Sequence, residues 1–420
     1  MESIIKDNIL QYARKNNFIT RQQHGFLARR STTTQLLECI NDWSLALAHR
    51  QSVDVTYIDF SRAFDSVVHS KLIYKLRSYG IAGNLLSWIE DFLTNRHQAV
   101  RVGNNISDFA DVGSGVPQGS VLGPLLFLFF INDISDLFGT DLVIKLYADD
   151  VKIYVAIDNI SSSDNLQVGL NALIKWCEDW QLNVSINKCN VLHIGAKNSC
   201  HTYTMNAFCL PSVRLSTDLG VLVDSKLRFT DHYAAIVAKA HQRAALILRC
   251  FKCRDPCILY KAFTTYVRPL LETCSNVWCP VYKCDVDYIE KVQRRFTKRL
   301  YGLHDLSYTE RLHFLAAETL EARRLKLDLV MMFKILHNLV DLNISDFFTL
   351  SNVVQTRGHC LKLIKPIATV NARQFSFACR RIDSWNSLPA SVVIAPSIAA
   401  FKRMLNNVDL SQYLIYSCRG

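Results

Sequence analysis

The sequence predicts an α+β fold, in which a sheet has helices packed on one face and is followed by a mainly helical carboxyl-terminal half. Three observations predict it. Short, β-branched and aromatic runs at Val53 to Phe60, Leu142 to Leu146 and Val151 to Val155 have the length and composition of strands. Stretches of helical spacing lie between and after them, and beyond about Asp231 the pattern is helical throughout. Half of the 420 residues are hydrophobic and a fifth are charged, enough for a large core and about two or three domains.

The elements follow in order. Leu36, Leu37, Ile40, Trp43, Leu45 and Leu47 predict a helix over 35 to 49, with Ser31-Thr32-Thr33-Thr34 as its cap. Val53 to Phe60 reads as a buried strand with a carboxylate, Asp59, at its end. Ser66 to Asn95 reads as helices broken at Gly80 and Gly83. The runs on either side of Tyr147-Ala148-Asp149-Asp150 read as a hairpin with two acids at its turn. Asp164 to Gln181 reads as a helix with Leu166, Leu170, Leu173, Ile174 and Trp176 inward, and Asn183 to Ile194 returns to strand-like alternation. Helices are expected at Ala234 to Leu248, Ile258 to Leu271, Val286 to Leu300 and Leu312 to Val340. No fixed-period repeat or low-complexity linker interrupts them.

A formal charge of +11 and a pI near 9.0 favour a polyanionic partner, nucleic acid or an acidic membrane surface. The most apolar run, Val121 to Ile131, is too short to span a bilayer and contains Gly123-Pro124, so a buried segment is expected and no membrane span. Fourteen cysteines without a dense framework, and no apolar leader at Met1 to Lys6, point to a reducing, intracellular setting.

Asp59 and the pair Asp149-Asp150 stand about ninety residues apart, each beside an apolar run. Carboxylates that near a core are costly unless a cation neutralises them, and Mg²⁺ takes one or two carboxylates together with phosphate oxygens. Taken singly, each acid reads more readily as a turn residue at a strand end than as a metal ligand. Order and combination add the weight: Asp59-Phe60-Ser61-Arg62-Ala63-Phe64-Asp65, then Ser114-Gly115-Val116-Pro117-Gln118-Gly119-Ser120-Val121-Leu122-Gly123-Pro124, then Tyr147-Ala148-Asp149-Asp150.

In these three motifs the chain resembles the reverse transcriptases of non-LTR retrotransposons. The resemblance implies a right-hand polymerase with partial fingers and palm over 1–232, a helical basic thumb over 233–305 and a mainly helical carboxyl-terminal region over 306–420. It implies two Mg²⁺ ions, with Mn²⁺ as a substitute, held by Asp59, Asp149 and the Phe60 carbonyl and supported by Asp150. Phe64 would lie under the sugar of the incoming nucleotide and exclude a 2′-hydroxyl, while Gln118 and Gly119 would touch nucleotide and template. Leu182 to Lys188 is similar to the family's fourth palm motif, whose lysine, here Lys188, would protonate departing pyrophosphate. Leu219 to His232 is similar to the hairpin that grips the primer end. The partners implied are an RNA template, a DNA primer and deoxynucleoside triphosphates, and the place of action is the nucleus. Which protein partners there are, the sequence leaves open.

Between Lys239 and Arg299 stand thirteen Lys and Arg against five Asp and Glu, most of the chain's excess charge. Lys291, Arg294, Arg295, Lys298 and Arg299 recur at helical spacing, which suits a helix along a phosphate backbone or, alternatively, an ordinary solvated face. Tyr308, Glu310-Arg311-Leu312, Leu320 to Arg324, Asp328 and Arg381 to Pro389 resemble the region after the polymerase in elements of the chicken-repeat-1 and jockey type. Cys250, Cys253, Cys257, Cys274, Cys279 and Cys284 lack paired zinc spacing and are expected to be small buried hydrophobes.

Gln23-His24-Gly25-Phe26 followed by Ser31-Thr32 is similar to a fingers motif that normally follows an Arg-Pro-Ile strand and, further upstream, an endonuclease. The expectation is therefore an amino-terminally truncated frame, with Arg29 and Arg30 either near template or simply solvated. Two function classes stay open: an RNA-directed DNA polymerase, and a catalytically impaired remnant that only binds nucleic acid. A group II intron or telomerase-like enzyme is a third, disfavoured by the carboxyl-terminal motifs.

Overall fold

The structure, a computed structural model, describes residues 1–158, 160–351 and 358–415. The chain forms two compact units: Met1–Gln35 with Gln51–Arg214, and Leu36–Arg50 with Leu215–Gly420.

The first unit begins with α1 (Glu2–Lys15) and the first turn of α2 (Thr32–Ala48). Ser31 and Thr34 cap α2 reciprocally, each backbone N–H donating to the other's hydroxyl at 2.8 and 3.2 Å. There follow β1 (Ser52–Ile58), α3 (His69–Ser78), α4 (Gly83–Leu93), the two-residue strands β2 (His97–Gln98), β3 (Arg101–Val102), β4 (Asn105–Ile106) and β5 (Ala110–Asp111), and α5 (Gly123–Ile131). Next come β6 (Val143–Tyr147), β7 (Asp150–Ile157), α6 (Ile160–Trp180), β8 (Asn190–Ile194), β9 (Thr204–Met205), β10 (Phe208–Cys209) and β11 (Ser212–Val213).

The main sheet has the order β11-β8-β1-β7-β6, with β1 antiparallel to both neighbours. Alternation along β1 puts Thr56 and Ile58 on the face that carries Ile144, Leu146, Val151, Ile153, Val155 and Val191. The hydrophobic core gathers on that face with Leu166, Leu170 and Leu173 of α6 and with Leu125 to Phe127 and Phe129 to Ile131 of α5. A helix apolar all round is a buried helix, as expected of this run, although Val121 ahead of it is exposed.

Asp54 lies on the same face, with none of its side chain exposed. His193 Nδ1 sits 2.6 Å from one oxygen, Asn198 Nδ2 donates to that oxygen at 2.7 Å, and the Tyr203 hydroxyl donates to the other at 2.6 Å. Burial by itself raises this carboxyl, but the hydrogen bonds outweigh it and hold Asp54 below the ordinary carboxylate range.

Two elements differ from the sequence reading. Only 190–194 of the expected 183–194 strand pairs in the sheet, because the preceding residues fold over the end of β1 and Ile186–Lys188 close a 3₁₀ turn. The expected helix 312–340 is two helices, parted at Ala316, whose φ of +46° cannot continue a helix.

The second unit holds the hairpin β12 (Leu215–Asp218) and β13 (Val221–Asp224), then α7 (Thr230–Cys250), α8 (Pro256–Tyr266), α9 (Ser275–Trp278), α10 (Lys283–Lys298), α11 (Tyr308–Phe314) and α12 (Leu320–Leu336), followed by short helices to Leu405. Glu290 is buried and accepts from the backbone N–H of Leu320 and Glu321 at 3.1 and 3.3 Å, which satisfies the start of α12. Asp328 of α12 is fully buried and accepts from Arg380 Nη2 at 2.8 Å, Arg381 Nε at 3.1 Å and Asn276 Nδ2 at 3.0 Å. The two carboxyl-terminal motifs thus meet in one buried ionic cluster. The cysteine expectation holds for Cys274 and Cys279 only: Cys250, Cys253, Cys257 and Cys284 are exposed, the first three around the α7–α8 loop and the last in the first turn of α10.

Replacing Asp54 with Ala removes the acceptor of the buried Tyr203 hydroxyl, the partner of the buried His193 ring and one acceptor of Asn198, and should lower the unfolding free energy at pH 7 by about 3 kcal/mol in urea titrations. Because the folded carboxyl is depressed, its contribution is present above the unfolded value of 3.8 and is lost as pH falls through the lowered folded one. The stability gap between wild type and Asp54→Ala should therefore narrow on acidification below about pH 4.

Candidate active site

The last β1–β7 pair is Ile58 with Val151, so one further step sets Asp59 level with Asp150 and the next sets Phe60 level with Asp149. Tyr147 pairs with Asp150, leaving Ala148 and Asp149 as a two-residue turn. The three acids predicted from sequence are thereby brought to one end of the sheet. Burial, and then the charge of Asp59, raise the Asp149 carboxyl. A cation between the two acids would relieve that repulsion.

The segment that folds over the end of β1 fixes Asp59. Its N–H donates to Cys189 Sγ at 3.4 Å, its carbonyl accepts from Ser185 N at 2.8 Å, and Ser61 N donates to Asn183 O at 2.8 Å. The same segment delivers Lys188, whose Nζ stands 3.5 Å from Asp59 Oδ1, an exposed pair that contributes little to stability. Cys189 gave no signal in the sequence, since one buried thiol resembles any other.

Phe64 is half-buried, stacked on Phe127 with ring centroids 4.2 Å apart and set edge-on to Phe26 at 6.1 Å. Its carbonyl accepts from Val116 N at 2.8 Å, which begins the docking of the glycine-rich loop. Gly115 N donates to Val67 O at 2.8 Å, Ser114 Oγ to Asp65 O at 2.8 Å, and Gln118 Nε2 to Asp65 Oδ1 at 2.7 Å. Gly115 has φ +90°, and a Cβ there would come within 2.8 Å of the Asp65 backbone. Gly119 has φ +85° and open space before it. A cavity of about 420 Å³ runs beside this loop, lined by Asp65, Arg96, His97, Ser114 and Gln118 among others. Glu2 of α1 accepts from Val121 N and Leu122 N at 2.8 and 3.1 Å and closes the loop's far end.

Among the described residues, no three His, Cys, Asp or Glu side chains gather closely enough to hold a metal ion by themselves. Two carboxylates with an adjacent backbone carbonyl are nonetheless a hard-oxygen donor set that fits Mg²⁺, an ion that usually keeps waters and substrate phosphates among its ligands.

In the second unit, Lys291, Arg295, Lys298 and Arg299 are exposed on and just after α10. Arg294 is half-buried, 3.5 Å from Asp287 and over the Tyr308 ring at 5.0 Å.

A family model described as reverse transcriptase (RNA-dependent DNA polymerase) matches residues 1–229. The RNA-directed DNA polymerase from mobile element jockey of Drosophila melanogaster is 27% identical over 314 residues, and the probable RNA-directed DNA polymerase from transposon X-element of the same species is 24% identical over 317. Each match covers 72% of this chain, which spans only 34% of the length of either relative. Telomerase from Candida tropicalis, solved with a fragment of telomeric RNA, is 12% identical with a TM-score of 0.42, over 82% of this chain and 50% of that one.

The docking of the glycine-rich loop predicts that Gly115→Ala, which adds both strain and a clash with Asp65, lowers the unfolding free energy by about 2 kcal/mol in thermal or urea unfolding.

Proposed function

The chain belongs to the reverse transcriptase (RNA-dependent DNA polymerase) family, and from that premise we propose that it is the RNA-directed DNA polymerase part of a jockey-like non-LTR retrotransposon. It extends a DNA 3′-hydroxyl on an RNA template, using deoxynucleoside triphosphates. The observation that carries this reading is the meeting of Asp59 and Asp149 at the ends of neighbouring strands, within the residues that the family model matches.

In this reading Asp59, Asp149 and the Phe60 carbonyl hold two divalent cations, Mg²⁺ or Mn²⁺, with Asp150 in support. When bound, such ions activate the attacking hydroxyl and neutralise charge on the leaving pyrophosphate. The remaining work falls to the chain. Phe64, braced by Phe127, presents a ring edge where a ribose 2′-hydroxyl would fall. Gln118, oriented by Asp65, and Gly119, whose open backbone admits close approach, contact nucleotide and template. Lys188 stands close enough to the acids to give a proton to pyrophosphate.

Fingers and palm occupy 1–232, the thumb 233–305 and a carboxyl-terminal region the remainder. In the thumb, Lys291, Arg295, Lys298 and Arg299 lie along the phosphate backbone of the template and primer, and Arg294 contributes from its partly covered position. The hairpin 215–224 and the turn after it hold the primer end. No described helix is long and apolar enough to cross a membrane. A chromosomal DNA primer puts the place of action in the nucleus.

Primer extension on an RNA template tests the reading. Asp149→Ala should reduce extension by more than the ~100-fold that loss of an outer-shell partner costs, while template binding survives. A wild-type chain that binds template and primer but extends nothing would replace the enzyme with the impaired nucleic-acid-binding alternative. Phe64→Ala should lower the preference for deoxynucleotides over ribonucleotides by about tenfold or more. That preference is a ratio of kcat/KM values within one protein, so a loss of folded fraction cancels.

A further inference from the structure

The catalytic hairpin has a neighbour that its own sequence does not announce. Gln22 to Gly25 lie parallel to β6 at the edge of the sheet: His24 N donates to Leu146 O at 2.7 Å and Leu146 N donates to Gln22 O at 3.0 Å. This alignment aims the Gln23 side chain, 2% exposed, at the acidic turn. Its Oε1 accepts from Ala148 N at 2.9 Å and from Gly25 N at 2.7 Å, and its Nε2 donates to Ala148 O at 3.5 Å. One amide side chain thus engages both polar backbone groups of Ala148.

Ala148 needs such a partner. It has φ +55°, a left-handed conformation that costs an L residue roughly 1–2 kcal/mol. Its N–H is buried where water does not compete, so the alternative to Gln23 is an unsatisfied donor. Gly25 allows the approach, because a Cβ there would sit 2.4 Å from Ala148 N. The clasp is itself anchored: Arg30 donates to the carbonyls of Gln23 and Arg21, and His24 Nδ1 lies 3.1 Å from Thr34 Oγ1 at the capped start of α2.

We propose that Gln23 is a positioning residue of the metal-binding turn, holding Ala148 in its left-handed conformation so that the next residue, Asp149, faces Asp59. The inference rests on the polymerase reading above, and deepens it by naming what sets the spacing of the two acids. With the N–H and the carbonyl of Ala148 both engaged, the backbone that leads into Asp149 is held in one course. Without Gln23, the turn relaxes toward conformations that carry the carboxylate away from Asp59.

The full chain is tested as wild type, Gln23→Met, Gln23→Glu and Asp149→Asn, with Mn²⁺ binding in the absence of nucleotide read by electron paramagnetic resonance. Gln23→Met keeps the size of the side chain and removes the acceptor and donor. It should bind Mn²⁺ roughly 10- to 100-fold more weakly than wild type, as outer-shell partners of metal ligands do. In extension assays its kcat should fall and its Mg²⁺ requirement rise, with KM for the nucleotide unchanged. Gln23→Glu keeps an acceptor for both N–H groups and should fall between Gln23→Met and wild type. If Gln23→Met lowers the melting temperature but binds Mn²⁺ as wild type does, Gln23 only stabilises the fold and the proposal is overturned. If wild type binds Mn²⁺ no better than Asp149→Asn, the acids are not a metal site and the functional reading fails with it.

Discussion

Because β1 and β7 pair so that Ile58 faces Val151, the placement of every acid at the site is a matter of register. A slip of one residue would turn Thr56 and Ile58 away from the core and carry Asp54 from its three partners. It would also part Asp59 from the acidic turn. The buried network around Asp54 therefore does two things at once. It stabilises the sheet, and it makes the neighbouring registers costly, since each leaves a buried carboxylate without donors.

Three loops converge on the end of that register, and each is tied down by hydrogen bonds from both backbone and side chains. The 183–189 segment grips Asp59, the 114–118 segment grips Phe64 and Asp65, and the 22–25 segment grips Ala148. Loops built this way keep a fixed shape while exposing their polar atoms, as Gln118 and Gly119 do. Phosphoryl transfer depends mainly on positioning and charge, so rigid loops around a small cluster of acids suit it.

Strands and helices whose signals are local were legible in the sequence. The hairpin around Tyr147 to Asp150, the buried helix within 121–131, the helix after Ser31 and the helices expected near 234–248, 258–271 and 286–300 appear where periodicity and caps put them, the one near 258–271 ending at Tyr266 before a 3₁₀ turn. Asn183 to Lys188 alternates like a strand but serves as a cover for β1, because Asn183, Val184 and Ser185 bond to the chain around Asp59 instead of to a sheet neighbour. Leu312 to Val340 has helical content throughout, and the left-handed Ala316, the local cap of Thr319 on Ala322 N and the capping of Leu320 by distant Glu290 make it two helices. The linear motifs named Asp59, Phe64, Gln118 and Asp149, since their order is itself the signal. Gln23, Cys189 and the partners of Asp54 act on residues up to 149 positions away, and no periodicity encodes such a meeting.

The buried cluster at Asp328 bears on how such a chain tolerates copying errors. Arg380 and Arg381 lie about fifty residues after the carboxylate they neutralise, beyond most of the helices of the second unit. A frameshift or stop codon between them would spare every helix from α7 to α12 in the coding sense, yet would strand a desolvated anion in their midst. Losing one side of such a pair costs about 3–5 kcal/mol, a large share of the stability of a typical domain. The stability of the upstream helices is thus tied to two arginines far along the chain, because without them Asp328 keeps its burial and loses its cations.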